Sequence, residues 1–349
     1  MFFFAGTISR VLGRTGGKII SKIAMLLLAA IAVMMVRKGI EASSRPVSPA
    51  DCQEGFMEPI ATIVAATDFS AAAKHAVQRA ALIARQHDAE LHLLHVTAPL
   101  DLYPGQELGP AVGNVRDATI HDQFGAVARW LREHYGVRVH VAQRIGRAHT
   151  QIADYAATVG ADLVVIGARG ESSMLRLLVG STASRLLRVR QGPVLIVRSE
   201  PVAPYAQVLA ALDLFPHARA VVEWAAELAW EGQLRLLHVL EPMDERGLRA
   251  MGLDDAASRQ RQDEMRAIAG NLMADLRSGL QGEVEIRIET GYPPARILAC
   301  ASDWHPGLIV VGRQGRGGLE EFLLGSVSKD VVQAAYCDVL LVAEVPLAG

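Results

Sequence analysis

The sequence has few of the residues on which several protein classes depend. Its 349 residues include only three cysteines, Cys52, Cys300 and Cys337, which are far apart. This number and spacing exclude a disulfide framework and a cysteine zinc site, and they favour a reducing compartment. Aromatic residues make up 5% of the chain, so valine, leucine, isoleucine and alanine must form the core. The formal net charge is only -2, which predicts no binding to nucleic acid.

The chain also lacks an apolar run of the usual length for a membrane span. Its longest candidate, 23–36, has fourteen residues, whereas a bilayer needs about 20. Basic residues flank this run, and three interpretations of residues 1–57 stay open. They are a disordered extension or misassigned start before Met57, a membrane anchor over 19–38, or a signal peptide. The signal-peptide interpretation lacks a cleavage site of small residues after the run.

What the chain has instead is an internal duplication. Three segments of the first half recur in the second: ATIVAATDFS (61–70) as AQVLAALDLF (206–215), LHLLHVTAP (91–99) as LRLLHVLEP (234–242), and ADLVVIGARG (161–170) as PGLIVVGRQG (306–315). A repeat of this length indicates two copies of one domain rather than a solenoid of short units. We therefore predict one domain over 58–200 and a second over 204–346. The short link between them, SEPVAPY (199–205), contains two prolines.

Within each copy, short apolar runs alternate with stretches of helical period. In the first copy the predicted strands are TIVAAT, ELHLLHV, RVHVAQRIG, DLVVIG and PVLIV. Ser70 is a candidate N-cap for the first helix. Continuous apolar strands between helices predict a parallel sheet that is covered on both faces. The predicted fold class is α/β, with two tandem doubly wound open sheets of five mostly parallel strands each.

The residues after the fourth predicted strand favour anion binding. The first copy has, in order, Gly167, Gly170, Gly180, Ser181 and Thr182. The second copy has, at the same spacing, Gly312, Gly315, Gly325 and Ser326. Glycines let the backbone approach a ligand, and a helix that is capped by Ser181 offers free N–H groups to a phosphate. Glycines also end strands without any ligand, but the repeated spacing favours the phosphate loop.

This order of segments resembles that of the universal stress protein (UspA) family. The strand-one TDFS, the strand-two LLHV and the glycine motif occur in family order, and the resemblance covers 58–346. It implies a tandem, two-domain member of the branch that holds ATP, with Mg²⁺ as a candidate counter-ion. It also implies that the two glycine motifs are phosphate loops.

The resemblance assigns roles to four residues at the strand ends. Asp68 and Asp213 match the aspartate that contacts adenosine, and Val96 and Val239 match the valine whose backbone meets the adenine. From the residues alone, each aspartate could accept hydrogen bonds from ribose hydroxyls or merely cap the helix that follows it. Both interpretations stay open at this point.

The two copies differ within the glycine loop. Glu171 follows Gly170 close to the expected phosphate position, whereas Arg313 and Arg316 stand on either side of Gly315. Because arginine pairs well with phosphate, we predict that both copies bind and that the second binds more tightly.

The sequence favours nucleotide-linked regulation over catalysis. We interpret His95 and His238, which occupy matching places, as half-buried strand residues rather than bases, and the histidine spacing indicates no metal site. A nucleotide-free interaction module and a slow ATPase stay open as alternatives. The predicted partners are an adenine nucleotide and an unidentified protein. The family resemblance also implies that PVLIV pairs internally with VLLVA, with a homodimer as a further option. The predicted location is the cytoplasm, or the membrane if 19–38 is an anchor.

Overall fold

The computed structural model describes residues 59–98, 110–168, 179–214, 218–242, 255–313 and 324–343. The predictions for residues 1–57, and those for Gly170, Glu171, Gly315 and Arg316, therefore lie outside the described residues. No helix within the described ranges is long and apolar enough to cross a bilayer.

Ten strands and eight helices alternate within these described ranges. The strands are β1 (Thr62–Thr67), β2 (Glu90–Thr97), β3 (Arg138–Ile145), β4 (Leu163–Gly167), β5 (Val194–Val197), β6 (Gln207–Leu212), β7 (Gln233–Leu240), β8 (Val284–Thr290), β9 (Leu308–Gly312) and β10 (Asp338–Val342). The helices are α1 (Ala71–His87), α2 (Pro110–Tyr135), α3 (Ala148–Thr158), α4 (Ser181–Val189), α5 (Ala218–Ala229), α6 (Asp255–Ser278), α7 (Pro293–Trp304) and α8 (Ser326–Ala334).

All ten strands form one sheet in the order β3-β2-β1-β4-β5-β10-β9-β6-β7-β8. Strands run parallel within each five-stranded half, which confirms the predicted α/β fold class. The halves meet where β5 and β10 pair antiparallel, with Leu195 opposite Leu340. This confirms the internal pairing of PVLIV with VLLVA that the family resemblance implied.

Two layers of helices bury the sheet on both faces. Ile63 and Ala65 of β1 pack on the side of α1, α2, α5 and α6, whereas Val64 packs on the side of α3, α4, α7 and α8. All three side chains are fully buried. Burial on both faces explains why the central strands read as continuous apolar runs, whereas the edge strands β3 and β8 contain many polar and exposed residues.

The two helix starts that the sequence singled out differ from each other. Ser70 caps α1 as predicted, because its hydroxyl accepts a hydrogen bond from the Ala73 N–H at 3.2 Å. The prediction that Ser181 caps α4 is wrong. Gly180 occupies the N-cap position, and Ser181 is the first helical residue. Glycine is also among the favoured N-cap residues.

A buried polar network lies where the two halves join. Asp338, which is 2% exposed, accepts hydrogen bonds from the Tyr205 hydroxyl at 2.7 Å and the Arg198 N–H at 2.8 Å. Its carboxylate lies 3.4 Å from the guanidinium of Arg79, which also stacks over the Tyr205 ring. Burial raises the pKa of Tyr205 well above its usual value, and the charge of the neighbouring Asp338 raises it further. The network fixes the end of the link against both halves.

Candidate functional site

The predicted site residues of each half converge at the carboxyl ends of adjacent strands. In the first half, β1 lies between β2 and β4, so Asp68, Val96 and Gly167 come to one edge. The second half repeats this arrangement: β6 lies between β7 and β9, with Asp213, Val239 and Gly312 at their ends. The chain winding reverses between β1 and β4, and again between β6 and β9. Ligands of open α/β sheets bind in the crevice at such reversal points.

The backbone after the first strand takes the same unusual conformation in both halves. Phe69 has a φ of 63° and Leu214 a φ of 57°, each directly after the aspartate. A bulky residue in this left-handed region costs about 1–2 kcal/mol. Asp68 is exposed and accepts a hydrogen bond from the Ser70 N–H at 3.0 Å, while Ser70 itself caps α1. The capping alternative for Asp68 is therefore wrong, because the aspartate shapes the turn that precedes the cap.

His95 and His238 each form a hydrogen bond with the last residue of a strand, β1 in the first half and β6 in the second. His95 Nδ1 lies 2.8 Å from the Thr67 carbonyl oxygen, and His238 Nδ1 lies 2.8 Å from that of Leu212. A carbonyl only accepts, so Nδ1 must carry a proton in both rings. His95 is half-buried as predicted, whereas His238 is buried. Both histidines position the turn that carries the aspartate.

Packing against α1 requires a glycine at position 167. A Cβ at this position would lie 2.8 Å from the Ala72 carbonyl oxygen and 3.1 Å from the Ala73 nitrogen. The absence of a side chain therefore lets the first turn of α1 sit against the end of β4. Sequence reasoning found the residue but assigned it a different reason.

Backbone hydrogen bonds close the base of each glycine loop. The Gly180 N–H donates to the Ala168 carbonyl at 2.8 Å, and the Gly325 N–H donates to the Arg313 carbonyl at 2.9 Å. The helices α4 and α8 begin immediately afterwards. The exposed residues in their first turns are Ser181 and Thr182 in α4, and Ser326 in α8. The first N–H groups of a helix have no partner within it, so each closed loop ends on potential anion donors.

Arg313 does not lie at the predicted phosphate position. It is only 7% exposed, and its guanidinium donates hydrogen bonds to the carbonyls of Arg190 and, at 3.2 Å, Arg188. These carbonyls belong to the carboxyl-terminal end of α4 in the other half, where a cation is favourable. Conversely, Arg198 of the first half donates a hydrogen bond to the Val332 carbonyl of α8 in the second half. The prediction that Arg313 binds phosphate is therefore wrong.

One difference between the loops was missed by sequence reasoning. The buried Ser328 hydroxyl of α8 donates to the Gly312 carbonyl at 2.6 Å. The matching residue of α4 is Ala183, which has no hydroxyl. The base of the second loop therefore has one more hydrogen bond than that of the first. Only the comparison of the two copies at a 145-residue offset signals this difference.

Comparisons with known proteins agree on one family. The model of the universal stress protein family matches residues 59–198 and again 204–343. A universal stress protein of Mycolicibacterium smegmatis is 30% identical over 290 residues, which cover 80% of this chain and 96% of that protein. A universal stress protein of Mycobacterium tuberculosis is 27% identical over 309 residues, covering 81% and 95%. A universal stress protein structure from Archaeoglobus fulgidus has a TM-score of 0.58 at 20% identity, covering 81% and 98%.

Proposed function

This chain belongs to the universal stress protein family, and on that premise we propose that each half binds ATP or a related adenine nucleotide. One observation carries the proposal. In both halves an aspartate, a valine and the closed base of the glycine loop meet at the carboxyl edge, beside the winding reversal. This convergence is the usual place for a ligand in an open α/β sheet.

Each group at this edge has a chemical role in the proposal. The carboxylates of Asp68 and Asp213 accept hydrogen bonds from ribose hydroxyls, and the backbone at Val96 and Val239 contacts the adenine. The phosphates lie at the glycine loops, where the first-turn N–H groups and the dipoles of α4 and α8 stabilise negative charge. Since Arg313 is engaged at the other half, the two sites differ less in charge than the sequence predicted.

The proposed output is regulatory. The phosphates of a bound nucleotide order the glycine loops, and a partner protein binds the surface that results. We propose the cytoplasm as the location, because Cys300 and Cys337 are free thiols in the described structure. A slow ATPase would additionally need a positioned water and a base. His95 and His238 do not offer such a base through Nδ1, because those nitrogens donate to backbone carbonyls.

Calorimetric titration of the full chain with ATP, with and without Mg²⁺, tests the proposal. We expect two nucleotides per chain. Asp68→Ala should weaken one site and Asp213→Ala the other, each by about tenfold or more, since a hydrogen bond to a charged group contributes about 1.5–3 kcal/mol. The matched control is Asp154→Ala, which removes an exposed carboxylate from α3, and it should leave both sites unchanged.

Three results would contradict parts of this proposal. Absence of binding by folded protein would favour a nucleotide-free interaction module. Binding that persists in the double aspartate variant would place the nucleotide elsewhere. Phosphate release well above background, lost in Gly315→Val, would favour the ATPase.

A further inference from the structure

Three side chains with metal-binding atoms meet at the opposite end of the first half of the sheet. Glu90 and His92 lie two residues apart on the same face of β2, and His140 of β3 pairs directly opposite His92. Glu90 begins its strand, six residues before Val96. At about 3.3 Å per residue, the cluster lies roughly 20 Å from the candidate nucleotide edge. Sequence reasoning missed this cluster, because 48 residues separate His92 from His140.

The distances within this cluster suit a single bound cation. Glu90 Oε2 lies 3.3 Å from His140 Nε2 and 4.0 Å from His92 Nε2. The three candidate ligand atoms all lie within 4.8 Å of one another. Four-coordinate zinc with bonds of about 2.0–2.2 Å holds its ligand atoms roughly 3.3 Å apart. One pair already has that separation, and small side-chain rotations would bring in the third atom.

A buried tyrosine orients one of the two histidines. The Tyr155 hydroxyl of α3 lies 2.9 Å from His92 Nδ1. When Nδ1–H donates to this hydroxyl, the lone pair of His92 is on Nε2, the nitrogen nearer to Glu90. Metal-binding histidines regularly have such a partner on the other ring nitrogen, which fixes both tautomer and ring orientation.

The second half has different side chains at the matching positions. Arg235 and Glu285 occupy the positions of His92 and His140, and they form an ion pair at 2.6 Å. Cys300 replaces Tyr155, and the guanidinium of Arg235 stacks 4.1 Å over the Trp304 ring. The second half therefore contains its own permanent cation. Where the second half has this arginine, the first half has two histidines and a carboxylate that face one another.

We propose that Glu90, His92 and His140 bind a zinc ion, with water in the fourth position. Two imidazole nitrogens and one carboxylate oxygen are a donor set that zinc prefers over magnesium or calcium. The site is accessible, since the side chains of Glu90 and His140 are 46% and 53% exposed. The ion would bridge β2 to the edge strand β3. This proposal does not depend on nucleotide binding, because the cluster lies at the other end of the strands.

Zinc titration of the nucleotide-free, chelator-treated full chain tests the proposal. We expect one strong zinc site per chain and a rise in the unfolding temperature. His140→Ala and Glu90→Gln should each weaken this site at least tenfold, and Tyr155→Phe should weaken it less. The control is His134→Ala, which removes an exposed histidine of α2 and should have no effect.

The electronic spectrum of the cobalt-substituted protein gives a second measurement. Intense visible bands of tetrahedral Co²⁺ are expected, and they should disappear in His140→Ala. The proposal is wrong if no one-to-one zinc binding is found, or if binding persists in a folded His140→Ala/Glu90→Gln double variant. A site that takes Cu²⁺ but not Zn²⁺ would overturn the assignment of the metal.

Discussion

At Gly167, a hydrogen is the only substituent that fits. The first turn of α1 lies so close that an added Cβ would contact backbone atoms of Ala72, which cannot rotate away. A residue in a glycine motif can thus be required by the fold, whatever the motif binds. The same residue therefore contributes to the candidate site indirectly, by bringing α1 against β4.

Gly167→Ala is expected to lower the free energy of unfolding by about 1–3 kcal/mol, the usual cost of overpacking. Denaturant titration measures the change. Gly125→Ala is the matched control, because Gly125 is an exposed residue of α2 and its added Cβ would meet no atom within 4 Å. That control should be neutral or stabilise by up to about 1 kcal/mol. Equal effects of both substitutions would disprove the packing explanation.

At the scale of elements, the ends of α4 and α8 are bound across the centre of the sheet. Arg313 contacts the end of α4, and Arg198 contacts the end of α8. Each arginine belongs to the half that does not contain the helix it stabilises. The two helices that begin at the candidate phosphate loops are therefore anchored at their far ends by the other half.

Arg313→Met should destabilise the chain by about 1–3 kcal/mol, because it removes the donors to two carbonyls at a partly buried helix end. It should leave the nucleotide affinity of the second half unchanged, since the guanidinium is hydrogen-bonded to the end of α4. Denaturation and ATP titration of one preparation measure both quantities. Arg261→Met, on the exposed side of α6, should change stability by less than about 0.5 kcal/mol. Weaker ATP binding by the Arg313 variant would instead support the original prediction that Arg313 binds phosphate.

At the scale of the whole molecule, the two halves also contact each other through helices. His87 at the end of α1 lies 3.0 Å from Glu227 of α5, and its ring packs edge-on to Trp230. Burial lowers the pKa of His87 from its ordinary value of 6.5, and the charge of Glu227 only partly offsets that effect. The contact between the halves is therefore sensitive to acid.

The lowered pKa of His87 fixes the sign of a pH effect. As the pH falls through 6.5 towards the lowered pKa of the folded state, the unfolded state binds more protons at this site than the folded state, so stability falls. We expect His87→Gln to reduce the loss of unfolding free energy between pH 7.5 and 5.5, by about 1 kcal/mol at most. Urea titrations at both pH values measure it. Burial also lowers the pKa values of His92 and His149, so part of the slope should remain. An unchanged slope in His87→Gln would contradict the prediction.

Local pattern was enough to predict the elements and the parallel, doubly wound sheet of each half. The alternation of apolar runs with helical stretches depends on residues close in sequence, and parallel strands that are buried on both faces leave an unmistakable apolar run. The duplication then predicted two similar halves, and the resemblance to the universal stress protein family implied that they pair through their last strands. The nucleotide roles of Asp68, Asp213, Val96 and Val239 stay predictions that binding experiments must test.

The sequence by itself determined the α/β class, the twofold repeat and the edge where ligands are expected, because each follows from short-range periodicity and repeated spacing. Only the tertiary structure decided where individual side chains go. Arg313 reaches a helix of the other half, Gly167 packs against α1, and His92 meets His140 through the register of β2 and β3. These contacts join residues that are far apart in sequence, so strand order and register fix them and local spacing does not.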